Sequence, residues 1–224
     1  MMSTAHRFLF LHVPKTAGNT LQSLLLPLSD DAMTISYHQD GVDRFEVRGP
    51  VTPRKHATLA DYAARLGDDL GGLAVAISVR HPVARAISAY FSPHAWMRET
   101  APGRWEPQPP VWDAGRFERV LASPACLPAT EFLRLESGLR RPDHVIRQEH
   151  LADDLAAMAR ALALPLDPAH LPRLNASAAP GLERRLLADA ALCARLQAHF
   201  AADMYFFGYG PWPPGDFAPA PDIG

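Results

Sequence analysis

An α/β fold, with a mostly parallel central sheet and helices on both faces, is the architecture this sequence predicts. Residues 7–13 and 73–79 are continuous apolar runs of strand length, the pattern of strands buried on both faces. Segments of helical period follow them, so strands and helices alternate. The chain has 224 residues, 48% hydrophobic and 21% charged, which suits one ordinary soluble domain with a single substantial core.

The elements follow in order. The run from Arg7 to Val13 ends at Pro14, and the Leu-rich stretch from Thr20 to Leu26 has helical character, giving strand, tight loop and helix as the opening unit. A weaker strand covers Met33 to His38. Leu59, Tyr62, Ala63 and Leu66 then fall on one face of a helix between Thr58 and Leu66. The second buried strand, Leu73 to Val79, ends at Arg80, and Pro82 fits the first turn of a helix that runs to about Phe91. Four prolines between residues 102 and 110 predict that regular structure lapses there, in a functional or mobile loop. Helices at Asp113–Leu121 and Ala129–Glu136, a third strand at His144–Gln148 and a helix at Leu151–Leu162 come next. A final helix from about Leu182 to Tyr205 ends near Gly208. The domain is expected to span residues 1–210, with 211–224 as a Pro-rich tail that is extended or partly disordered.

Charge and cysteine usage exclude several classes. Lys and Arg number 22 against 24 Asp and Glu, with no polybasic run, which disfavours a nucleic-acid partner. Cys126 and Cys193 match no metal or redox spacing and read as two reduced, structural thiols. The apolar run at Phe8–Leu11 is too short for a signal peptide, and no stretch reaches the roughly 20 apolar residues of a membrane span. A cytoplasmic location without stable membrane insertion is the expectation. Only two of the basic residues are lysines, Lys15 and Lys55, and both lie beside candidate chemistry.

The most informative segment is Val13-Pro14-Lys15-Thr16-Ala17-Gly18-Asn19-Thr20-Leu21, where the first strand hands over to the first helix. Small and hydroxyl side chains there let successive amides converge at a helix N-terminus, which makes an anion cradle, and Lys15 adds a mobile charge at its mouth. It is not a Walker A loop, because Lys15 precedes Gly18 rather than following it. The plain alternative is a strand–helix turn with a solvated lysine. At the end of the second strand, Arg80 and Ser88 are spaced across a turn and about two helical turns, so both could meet one anion at the C-terminal sheet edge. The alternative there is an Arg lying over Tyr90 and a surface Ser.

Together these segments resemble the PAPS-dependent sulfotransferase superfamily, in the branch that contains heparan sulfate 2-O-sulfotransferase and the bacterial sulfotransferase family 2 proteins. Pro14-Lys15-Thr16-Ala17-Gly18-Asn19-Thr20 is similar to that branch's 5′-phosphosulfate loop, and Val79-Arg80-His81-Pro82-Val83-Ala84-Arg85-Ala86-Ile87-Ser88-Ala89-Tyr90 to its 3′-phosphate motif. Asn175-Ala176-Ser177 and Asp203-Met204-Tyr205-Phe206-Phe207-Gly208-Tyr209 are similar to recurrent features of these proteins. His81 departs from the pattern, which more often has Asp. The resemblance implies a single P-loop-like α/β domain and the donor 3′-phosphoadenosine 5′-phosphosulfate (PAPS), with the product PAP and no metal. It implies that Lys15 contacts the bridging or sulfuryl oxygens and that Pro14, Thr16, Ala17, Gly18, Asn19 and Thr20 form the 5′-phosphate loop. Arg80 and Ser88 would hold the 3′-phosphate.

In-line sulfuryl transfer asks the protein mainly for positioning and charge stabilisation, plus a base for the acceptor hydroxyl. His56 is the chosen base, since the resembling family carries its base at the start of a helix after the second strand; helix capping is its plain alternative. His94 is the runner-up. His6, His199 and His12 have structural readings, the last as a residue inside the first strand, and Glu149 reads as a structural carboxylate. Trp96, Trp105 and Trp112 surround the Pro-rich loop, either pinning it to the core or offering an acceptor platform. Without a dense basic cluster, a neutral carbohydrate, lipid or small hydroxylated metabolite is a better acceptor than a polyanion. The rival readings are a nucleotide kinase or NTPase and a non-catalytic nucleotide-binding module.

Overall fold

The computed structural model describes residues 1–35, 45–167 and 179–213. In chain order these form β1 (Met2–Ser3), β2 (Phe8–His12), α1 (Gly18–Leu25), β3 (Ala32–Ile35), β4 (Phe45–Arg48), α2 (Leu59–Leu66), β5 (Ala74–Val79) and α3 (Pro82–Tyr90). There follow β6 (Met97–Ala101), β7 (Arg104–Pro107), α4 (Ala114–Leu121), β8 (Arg134–Leu135), β9 (Gly138–Leu139), β10 (His144–Arg147), α5 (Leu151–Ala161), α6 (Pro180–Leu187), α7 (Ala190–His199) and α8 (Ala201–Phe207). They gather into two compact units, one from 1–35, 45–80 and 131–167 and one from 81–130 and 179–213.

The first unit holds the central sheet, in the order β1-β2-β5-β10, with β2, β5 and β10 parallel and β1 antiparallel at the edge. Every residue of β2 is buried, as a continuous apolar run requires. Phe8 and Phe10 on β2 pack with Ala76, Ile146, Leu21 and Leu25 of α1, and Leu155 and Met158 of α5. Each of the Phe, Leu, Ile and Met side chains contributes roughly 1.5–3 kcal/mol by leaving water. The register pairs His12 with Ser78 and Arg147 with Val79, so the turns after β2, β5 and β10 leave the sheet along one edge. That is the edge where open α/β sheets bind ligands. The strand expected from Met33 begins one residue earlier, at Ala32; residues 36–38 and the Asn175–Ser177 segment lie outside the described residues.

The second unit has its own core, in which Val83, Ile87 and Tyr90 of α3 meet Phe117 of α4, Leu186 of α6 and Leu196 of α7. Tyr90 is its centre, with Phe91, Trp96, Trp112 and Phe117 edge-on to it at 4.9–5.6 Å. Its hydroxyl donates to the Val111 carbonyl (2.7 Å) and accepts from Asp113 N–H (2.9 Å). Trp96 donates to the Tyr90 carbonyl and lies 3.9 Å under the Arg116 guanidinium. Trp96 and Trp112 therefore pin the segment after α3 to the core.

Three expectations are corrected here. Within residues 102–110, expected to be irregular, regular structure lapses only from Gln108 on: residues 97–107 form a hairpin, because Pro102-Gly103 makes the two-residue turn between paired Ala101 and Arg104, with Gly103 at φ 74°. The long C-terminal helix is three, α6, α7 and α8. Asp189 stops the first by accepting from Leu192 N–H as the N-cap of the second, and Phe200 leaves helical geometry before the third. Residues 129–133 form only a short 3₁₀ turn. The Asp203 carboxylate takes the N–H groups of Ala129 and Thr130, and the chain next enters the β8–β9 hairpin.

Candidate functional site

The turn after β2 has an unusual backbone for residues that are not glycine: Lys15 stands at φ 68° and Ala17 at φ 61°. Left-handed geometry costs such residues roughly 1–3 kcal/mol each, so the surroundings must enforce it. Thr16, between them and fully buried, is the anchor. Its hydroxyl donates to the Val13 carbonyl at 2.7 Å; with its one hydrogen committed, it accepts from the Ser78 hydroxyl of β5, also at 2.7 Å. Lys15, Pro14, Ala17 and Asn19 are half-buried around it, while Gly18 and Thr20 are buried. Helix α1 starts without a side-chain cap and with no acidic residue in its first turn, so Gly18, Asn19 and Thr20 stand at the positive end of the helix dipole.

Arg80 leaves β5 at the same sheet edge, half-buried. Ser88 belongs to α3 in the second unit, where it is the one residue of the helix that is not buried. His81 is fully buried and substitutes for a carboxylate as a helix cap. Its Nδ1 accepts from Val83 N–H (3.3 Å), which places the proton on Nε2, and this donates to the Gly210 carbonyl (3.1 Å). Tyr209 and Trp212 pack edge-on to its ring, so the chain stays docked beyond Pro211 as far as it is described. The Asp203–Tyr209 segment is structural as well. Asp203 accepts from Ala129, from Thr130 N–H and hydroxyl, and pairs with buried Arg85 at 3.7 Å, while Gly208 closes α8 at φ 70°.

His56 sits two residues before the N-cap of α2. The capping box of Thr58 and Asp61 closes the turn, and the Asp61 carboxylate also takes Arg54 at 2.6 Å, so the turn is held at both ends. His56 Nδ1 lies 2.9 Å from the backbone carbonyl of His12. A carbonyl only accepts, so Nδ1 carries the proton and Nε2 is the basic nitrogen. Burial pushes His56 below the ordinary imidazole range, so it is neutral at pH 7. Burial likewise brings Lys55 down to about 8, with Glu46 opposing the shift. His12, Gln22, Ser78 and Glu46 were not anticipated as members of this cluster. For His12 the signal was present: with Phe8 and Phe10 it falls on one face of β2, at the end that meets the turn.

His94, the alternative base, lies half-buried in the 3₁₀ turn after α3 in the second unit, and Glu149 is exposed in the turn before α5. Cys126 and Cys193 are both buried thiols that form no disulfide. Among the described residues, no group of three or more His, Cys, Asp or Glu gathers as for a metal ion, and no helix is long and apolar enough to cross a membrane.

A parallel sheet whose strand β2 ends in a left-handed turn and whose strand β5 ends at a guanidinium, with a tautomer-fixed histidine held on the His12 carbonyl, defines a mixed α/β protein with a polar site along one sheet edge. The chain belongs to the Sulfotransferase family, whose sequence model matches residues 1–210. It is thus a transferase of a family that moves sulfuryl groups to hydroxyl-bearing acceptors. No curated protein and no solved structure matches the chain.

Proposed function

We propose that this chain moves a sulfuryl group from PAPS to an acceptor hydroxyl by in-line displacement, with residues 1–210 acting as a P-loop-like catalytic domain in the cytoplasm and 211–224 as a tail. One observation carries the reading. Adjacent carbonyls at the end of β2 organise both halves of the chemistry: Val13 receives the Thr16 hydroxyl that shapes the turn, and His12 receives the Nδ1–H that fixes the His56 tautomer.

The residues present suit the donor. The uncapped start of α1 offers amides to the 5′-phosphate through Gly18, Asn19 and Thr20, within the loop of Pro14, Lys15, Thr16 and Ala17. Because the Thr16 hydroxyl is engaged inside the protein, Thr16 serves through its amide. Arg80 and Ser88 are assigned to the 3′-phosphate, Arg80 as a bidentate donor. When bound, PAPS supplies a sulfuryl group on a phosphate leaving group. Lys15 offsets negative charge on the moving group, and His56 Nε2 accepts the acceptor's hydroxyl proton. The acceptor is read as a neutral carbohydrate, lipid or small hydroxylated metabolite.

Thermal unfolding with PAP, Mg-ATP and 5′-AMP tests the donor. At 100 times its Kd, PAP should add about 2.7 kcal/mol, which is roughly 5–10 °C in Tm for a chain of this size. The other two should give far less. An equal or larger shift with Mg-ATP would replace the reading with a nucleotide kinase.

A further inference from the structure

We propose that the side chain of His12 is a positioning residue for His56: its buried imidazole is the surface against which the His56 ring is held, keeping Nδ1 on the His12 carbonyl and Nε2 for the acceptor's proton. The inference rests on reading His56 as the base. His12 is 4% exposed, and its ring centroid lies 4.4 Å from that of His56, tilted by 56°. Its own rotation is fixed, because Nδ1 lies 3.0 Å from Gln22 Oε1 on α1 and donates to it. Gln22 Nε2 is buried and meets no acceptor among the described residues, so His12 is the polar contact of that amide.

The third contact is a missing side chain. A Cβ on Gly18 would stand 1.8 Å from both Cδ2 and Nε2 of His12, so the first residue of α1 lies directly on the ring. Gly18 is helical and has no need of glycine for its backbone; the imidazole beneath it is the reason for glycine. One ring thus touches the start of the helix that opens the anion turn and, on β2, supports the base. Any displacement of the start of α1 pushes on the same group that orients His56.

The charged and titratable groups around His56 are His12 from β2, Glu46 from β4, and Arg54 and Lys55 from the turn before α2. Burial is the main reason His56 lies below its ordinary 6.5; the hydrogen bond to the His12 carbonyl is the largest opposing contribution, Lys55 and Arg54 lower it further, and Glu46 raises it. Removing the His12 ring lets water reach His56, so its pKa moves back up. The acid limb of kcat/KM, where the base becomes protonated, then moves to higher pH.

His12→Asn separates the ring from its hydrogen bond, since the Asn amide stands in for Nδ1–H toward Gln22 while the ring is lost. Nitrogen-15 NMR of the His56 ring reads tautomer and titration without any substrate. In the wild type, His56 should be the Nδ1–H form titrating below 6.5; in His12→Asn it should titrate higher with mixed tautomers. With PAPS and an acceptor, kcat should fall about 10- to 100-fold, and PAP affinity should stay within about threefold. His12→Phe keeps the flat ring and should keep the wild-type His56 titration. An unchanged His56 titration and tautomer in folded His12→Asn overturns the proposal. If that variant does not fold, Gly18→Ala decides, because its methyl must displace the ring: a shifted titration supports the proposal and an unshifted one overturns it. A wild type that binds no PAP would sink the sulfotransferase reading, while the NMR comparison would still decide the role of His12.

Discussion

The two turns that leave the sheet side by side, after β2 and after β5, are built on opposite principles. After β2 the helix start carries no side-chain cap, and the turn before it is bent through two left-handed residues, Lys15 and Ala17. After β5 the helix start is closed: Pro82 has no N–H to give, and His81 takes the Val83 N–H with its side chain. The proposal therefore gives the first turn's anion to backbone amides and the second's to side chains, Arg80 above all. On the proposed reading, capping separates the turn assigned as an amide cradle from the one assigned to side chains, a distinction that spacing alone does not make.

Replacing the charge at the open turn should have the largest effect. Lys15→Ala should lower kcat by about 10²–10³-fold, the usual loss for one donor aimed at developing charge, and leave PAP affinity close to wild type, as read by steady-state rates beside calorimetric titration. Retained turnover would break the assignment of that turn to the moving group. At the closed turn the opposite pattern is expected. Arg80→Ala should weaken PAP by about 10- to 100-fold, since hydrogen bonds to a charged group contribute roughly 1.5–3 kcal/mol. Its kcat at saturating donor should change far less. If Arg80→Ala lowered kcat as steeply as Lys15→Ala, the division between the two turns would be wrong.

Much of this was legible in the sequence for a physical reason. Strands buried on both faces must be apolar throughout, so β2 and β5 announce themselves, and the small, hydroxyl-bearing turn after β2 and Pro82 at the head of α3 are local chemistry. What was hidden depends on partners far along the chain. His12 read as a strand residue because the ring it supports and the Nδ1–H it receives belong to a residue 44 positions away. Ser78 is engaged by Thr16 across 62 positions. The β6–β7 hairpin was hidden differently: four prolines suggested breakage, although Pro102-Gly103 is itself a tight-turn signal and Pro107 closes its strand. His81, a departure from the family's usual Asp, keeps the cap because an unprotonated Nδ1 accepts as a carboxylate oxygen does.

The smallest effect expected concerns the tether that joins the two strands. Thr16 hydroxyl gives its proton to Val13, so the Ser78 hydroxyl contributes one further bond and no more. Ser78→Ala removes that bond and leaves the Thr16–Val13 bond in place, which should cost about 0.5–1.5 kcal/mol in urea unfolding. Thr16→Val removes both bonds and strands the Val13 carbonyl in a dry place, which should cost roughly 1–3 kcal/mol. If the tether is what enforces the left-handed turn, both variants should also weaken PAP, Thr16→Val more than Ser78→Ala, whereas kcat at saturating donor should fall much less than in Lys15→Ala. Equal stability losses for the two would mean that the Ser78 bond, not the Val13 bond, holds the turn. Unchanged PAP affinity in both would mean that Lys15 and Ala17 keep their geometry without the tether, and the enforcement would then have to come from the packing of α1 over His12.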